Sequence, residues 1–164
     1  MTETQFSPEI ETADRTDEKA QPSPASLPPR ILVVEDEPQI RQLISTKLRK
    51  SGFEVDEAEN GAMAWSWLQV YGYDLLITDN SMPKMTGMEL LMKLRAARMV
   101  LPVIMATAVP PTKEFAESPW LIPEATLTKP YTMDELLATV RKVLHVSDSP
   151  RGRVAELPPE NNPD

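Results

Sequence analysis

Polar residues close several separate apolar runs in this chain. Glu35 and Asp36 follow ILVV (31 to 34), Asp79 follows LLIT (75 to 78), Thr107 follows VIMA (103 to 106), and Lys129 follows LT with Pro130 after it. At the carboxyl end of a buried strand, a side chain projects into a crevice while the loop behind it holds it rigid. One acid in such a place means little. An acid pair, a lone acid, a hydroxyl and a lysine, in that order, form a set suited to phosphate and a divalent metal. Two carboxylates about 4 Å apart repel by roughly 4 kcal/mol at an effective dielectric near 20. Three converging acids therefore need a partner cation, or one of them must protonate. A divalent ion together with the Lys129 ammonium would meet that need.

The elements that must position these residues can be read from periodicity. ILVV, LLIT and PVIMA (102 to 106) are continuous apolar runs, as expected of parallel strands buried on both faces. FEVDEA (53 to 58) alternates, which suits an edge strand with one wet face, and ATLT (125 to 128) alternates more weakly. Helical spacing recurs between them. It links Ile40, Leu43, Ile44 and Leu48; then Ala64, Trp67, Leu68 and Tyr71; then Gly87, Leu90, Leu91 and Leu94; and finally Met133, Leu136, Leu137, Val140 and Leu144. Glu37 before Pro38 suggests an N-cap with proline at the first helical position, and Asn60 can cap the second helix. Pro110, Pro111, Pro119 and Pro123 leave room in the fourth connection only for a short helix, about Thr112 to Glu117. Strand and helix alternate throughout, which predicts an α/β fold. Placing the two half-wet strands at the edges gives a flavodoxin-like (βα)5 doubly wound parallel sheet, order 2-1-3-4-5, with an irregular fourth helix.

Bulk properties narrow the function. The chain has 164 residues and a net charge of −8. Residues 1 to 29 carry six acids against two bases and five of the 17 prolines, and 147 to 164 carry four acids against two bases. Both segments are expected to be disordered tails around a domain spanning 30 to 146. An acidic chain without a basic stripe argues against direct nucleic-acid binding. The absence of cysteine excludes disulfides, thiol catalysis and thiolate metal sites. No apolar run reaches the ~18 residues of a membrane span, and no signal-peptide layout is visible, so no membrane partner and a cytoplasmic location are expected.

Taken jointly, ILVVEDEP (31 to 38), AENG (58 to 61), DLLITDNSMPKMTG (74 to 87), PVIMATA (102 to 108) and LTKPYT (127 to 132) resemble the receiver domain of two-component response regulators. The spacing carries the likeness: 43 residues from Asp36 to Asp79, 28 on to Thr107 and 22 on to Lys129. The resemblance implies a phosphoacceptor at Asp79, charged by a phosphohistidine on a sensor histidine kinase or phosphotransfer protein. It implies Mg2+ held by Glu35, Asp36, Asp79 and the backbone carbonyl of Ser81, with Asp36 the more direct ligand of the acid pair. Lys129 would pair with the phosphoryl oxygens, and its bond to Pro130 would be cis. Thr107 would take up a phosphoryl oxygen and draw the following loop inward. The implied role is a single-domain switch acting on a downstream protein, not an enzyme beyond its own aspartyl phosphorylation and dephosphorylation.

Two departures stand out. Many family members carry an aromatic three residues before the lysine, where this chain has Thr126. Ser81 and Val109, two residues past Asp79 and Thr107, bear neither charge nor amide to orient water, so slow self-dephosphorylation is expected. The alternative function is a receiver-like interaction scaffold that works without phosphorylation. A flavin protein on the same fold is disfavoured, because EDEP stands where a glycine- and hydroxyl-rich phosphate loop would be needed. His145, the only histidine, is expected to serve a helix end.

Overall fold

The structure is a computed structural model and describes residues 27–147. The tails expected at 1 to 29 and 147 to 164 lie, except for residues 27–29 and 147, outside the described residues. In chain order the elements are β1 (Arg30–Val34), α1 (Pro38–Lys50), β2 (Glu54–Ala58), α2 (Gly61–Leu68), β3 (Leu75–Asp79), α3 (Gly87–Ala96), β4 (Val103–Thr107), α4 (Thr112–Glu117), a 3-10 turn (Pro119–Leu121), β5 (Ala125–Thr128) and α5 (Met133–Ser147). The five strands are parallel in the order β2-β1-β3-β4-β5. The two edge strands are the two alternating runs, and β3 and β4 are buried at every residue. The architecture is the flavodoxin-like one.

Side-chain alternation along the strands divides the core into two layers. Ile31, Val33, Leu75, Ile77 and Ile104 pack with Ile44 and Leu48 of α1 and with Leu136 and Val140 of α5. Leu32, Val34, Leu76, Val103 and Met105 pack with Leu68 of α2 and with Leu90, Leu91 and Leu94 of α3. Among the described residues no helix is long and apolar enough to cross a membrane.

The helix starts follow local chemistry. Asn60 accepts from Met63 N at 2.9 Å, and Thr86 and Glu89 form a capping box that starts α3. Thr132 and Glu135 exchange the same pair of bonds at α5. At α1 Glu37 is the N-cap and Pro38 stands at the first helical position, as expected, although Glu37 makes no side-chain cap bond. Two apolar positions differ. Leu43 is 55% exposed, whereas Ser45, on the opposite flank of the stripe through Ile40, Ile44 and Leu48, is buried. α2 ends at Leu68, so Tyr71 falls in the following turn, with its ring 5.3 Å beneath the Arg30 guanidinium. α4 is the six-residue helix expected, and it buries none of its residues.

Candidate functional site

Parallel register brings the strand ends to one rim. Val34 pairs with Thr78 and Ala58, Asp79 with Ala106, and Thr107 with Thr128. Glu35 therefore emerges beside Asp79, which in turn lies beside the β4 end that carries Thr107. Glu35, Asp79 and Thr107 are all buried, being 3%, 5% and 5% exposed. Ser81 lies in the loop just past β3 and is exposed.

The carboxylate oxygens of Glu35, Asp36 and Asp79 lie within 4.8 Å of one another. Lys129 Nζ stands 3.0 Å from Asp79 Oδ1. That contact is a charge pair and not an aligned hydrogen bond, because the buried Oδ1 has no hydrogen-bond partner. The Lys129–Pro130 bond is cis. Burial pushes the Glu35 carboxyl up to about 7, and the Asp79 charge and a hydrogen bond with Asp36 act in the same direction. The Glu37 N–H, 3.2 Å from Glu35 Oε1, and the Lys129 ammonium oppose the rise. A buried oxygen without a donor, beside two more carboxylates, is an all-oxygen set that suits a hard divalent ion such as Mg2+.

Thr107 sits at this rim, but its hydroxyl is engaged elsewhere: Oγ1 donates to the Val109 carbonyl at 2.9 Å. To reach a group on Asp79 the hydroxyl must give up that bond. Val109 itself is 77% exposed, and Thr126 is also exposed.

Several supporting residues were not identified as part of the site from the sequence. Asn80 accepts from Met88 N through its side chain at 3.0 Å and donates from its backbone to Ala106 O at 2.9 Å, tying the loop after Asp79 to α3 and β4. Gly87 opens α3 directly against the Asp79 peptide; a Cβ there would lie 2.5 Å from Asp79 O. The Tyr131 phenol is pushed up to about 12, first by burial and then by the charges of Glu35 and Asp79, which places its ring in the field of the acids. An asparagine, a glycine or a tyrosine in a loop has many uses, so composition alone could not single these out. Only the glycine, in MTG ahead of an apolar helix, had a discernible cue.

Comparison with known proteins agrees with the fold. The family model described as "Response regulator receiver domain" matches residues 31–141. The chain belongs to that family. It is 39% identical over 120 residues to the response regulator Rre1 of Synechocystis sp., covering 71% of this chain and 52% of that protein. It is 35% identical over 144 residues to the sensor protein EvgS of Escherichia coli K12, covering 85% of this chain and 12% of that one. The chain thus spans about half the length, or less, of the curated relatives it matches. The receiver domain of the Francisella response regulator 1452 superposes with a TM-score of 0.67 at 31% identity, covering 73% of this chain and 98% of that one. The response regulator TrrA of Thermotoga maritima, solved in complex with Mg(2+)-BeF, gives 0.61 at 34% identity, covering 70% and 98%. The chain carries a receiver domain of the kind used for signal transduction in two-component systems.

Proposed function

We propose that Asp79 accepts a phosphoryl group from a phosphohistidine on a sensor kinase or phosphotransfer protein, and that the phosphorylated domain signals to a partner protein. The observation that carries this reading is the buried Asp79 oxygen facing the Lys129 ammonium at 3.0 Å beside two further acids. A carboxylate oxygen of Asp79 forms the new O–P bond as the donor's N–P bond breaks. The imidazole nitrogen keeps the electron pair and takes a proton from solvent. Lys129 lies where charge collects on the transferring group, the place at which positioned cations contribute most to such transfers. Glu35, Asp36, Asp79 and the carbonyl of Ser81 would hold Mg2+, which when bound supplies further positive charge for the phosphoryl oxygens. Thr107 then exchanges the Val109 carbonyl for a phosphoryl oxygen, which frees the loop leading into α4. α4 has no fully buried residue and touches the core clusters only through the partly buried Phe115, so few core contacts oppose a shift of that segment.

Mg2+-dependent labelling by acetyl phosphate tests the proposal. Wild type should label and Asp79→Asn should not; labelling that persists in Asp79→Asn would remove Asp79 from the mechanism. The rival scaffold reading has Thr126 in its favour, because no inward-turning aromatic stands on β5 to relay the change. That reading wins if wild type fails to label at all.

A second expectation concerns lifetime. Neither Ser81 nor Val109 carries a charge or an amide to orient an attacking water, and Ser81 offers only a neutral hydroxyl. Introducing a carboxylate with Val109→Glu should speed loss of label by about tenfold, short of the ~10²-fold that a fully positioned base supplies. Equal or slower decay in Val109→Glu would overturn it.

A further inference from the structure

We propose that Arg41 is a positioning residue for the acid pair, clamping the backbone that carries Glu35 and Asp36 and so aiming both carboxylates. This deepens the Mg2+ reading of the site and rests on it. Glu35 stands one residue beyond β1. Its N–H still donates to Ala58 O at 3.1 Å, but its carbonyl lies past the strand ladder. Arg41, in the second turn of α1, takes that carbonyl: Nη1 donates to Glu35 O at 2.7 Å and approaches Asp36 O at 3.5 Å. The clamp is itself braced, since Arg41 Nε lies 3.7 Å from Glu57 Oε2 on β2, with the Arg41 side chain only 16% exposed. Glu57 is also held by Arg49, 2.9 Å from its other oxygen.

The direction of the effect separates positioning from charge. An arginine near a cation site repels the cation, so charge alone predicts that removing Arg41 tightens Mg2+ binding. Positioning predicts the reverse, because outer groups that orient metal ligands typically contribute 10–100-fold in affinity. Arg49 is a matched control. It pairs with the same Glu57 and also donates to a backbone carbonyl, Val55 O at 2.9 Å, but that carbonyl belongs to β2.

The experiment follows the unfolding midpoint of the whole chain as MgCl2 is raised, for wild type, Arg41→Met and Arg49→Met, and derives each dissociation constant from the midpoint shift. Arg41→Met should bind Mg2+ about tenfold more weakly than wild type, while Arg49→Met should match wild type. Equal constants for the two variants, or tighter binding in Arg41→Met, would overturn the inference. If Arg41→Met does not fold, Arg41→Lys replaces it. It keeps the charge but loses the guanidinium fork, and it should weaken binding in the same direction. A wild type whose midpoint does not respond to Mg2+ would overturn the metal reading itself, which is a distinguishable result.

Discussion

Without Mg2+ this domain should lose stability as pH rises from about 5 to 7.5, and Glu35→Gln should abolish most of that loss. The cause is burial, which holds the Glu35 carboxyl at about 7 against an ordinary value of 4.5. The direction follows from proton counting. Below 4.5 both folded and unfolded chains keep the proton, so the group has no effect on the difference. Between the two values the unfolded chain releases it and the folded chain retains it, so stability falls with pH. Above about 7 both are ionised and the full penalty, roughly 3 kcal/mol, is in place. That is a sizeable part of the ~5–15 kcal/mol typical of a folded domain. Mg2+ reverses the trend, because it requires the ionised carboxylate and displaces the proton. The midpoint gain at saturating Mg2+ should therefore be larger at pH 8 than at pH 6, and flat with pH in Glu35→Gln. Urea midpoints across pH, with and without Mg2+, check both arms. Parallel pH profiles for wild type and Glu35→Gln would show that Glu35 is not the titrating group.

How much of this was legible in the residues depends on the range of the forces involved. The sheet order could be read because burial on two faces leaves an unbroken apolar run, as in LLIT and VIMA, while an edge leaves alternation, as in FEVDEA. The short fourth helix was equally readable, because proline removes donors wherever it occurs. The rim residues Glu35, Asp36, Asp79, Thr107 and Lys129 came from strand ends, which follow once the strands are known. Side-chain direction was a different matter. Whether the Thr107 hydroxyl faces Asp79 or the Val109 carbonyl is decided by the path of the loop after β4. Likewise Arg41 looks like any surface arginine on an amphipathic helix until the Glu35 carbonyl is found within its reach. Leu43 failed for a related reason: a helical period defines a stripe, but the sheet decides where that stripe is centred, and here Ser45 lies nearer the centre.

Gly87→Ala is expected to destabilise the domain by roughly 1–3 kcal/mol, the range for forcing an extra carbon into filled space. Intrinsic helix propensity points the other way, favouring alanine over glycine by ~1 kcal/mol in a helix interior. Space decides the outcome. The new Cβ would stand 2.5 Å from Asp79 O, 3.0 Å from Asn80 Cα and 3.1 Å from Asp79 C, all backbone atoms of the strand end and its loop. No rotamer change relieves a clash with backbone, so α3 must move away or the Asp79 peptide must tilt. Either movement disturbs the Met88 to Asn80 bond and the aim of Asp79, so Mg2+-dependent labelling should fall together with stability. Two other glycines calibrate the effect. At Gly61 the nearest atoms are Met85 Cβ at 2.9 Å, with Met85 Cγ and O both at 3.0 Å; of these only Cγ can yield by a rotamer change, but all three contacts are longer than the 2.5 Å at Gly87. At Gly72 nothing lies within 4 Å. The expected order of destabilisation by alanine is therefore Gly87, then Gly61, with Gly72 neutral. Denaturant midpoints of the three variants establish the order. If Gly87→Ala proves as stable as Gly72→Ala and labels at the wild-type rate, the close approach of α3 to the Asp79 peptide is not what holds that carboxylate in place.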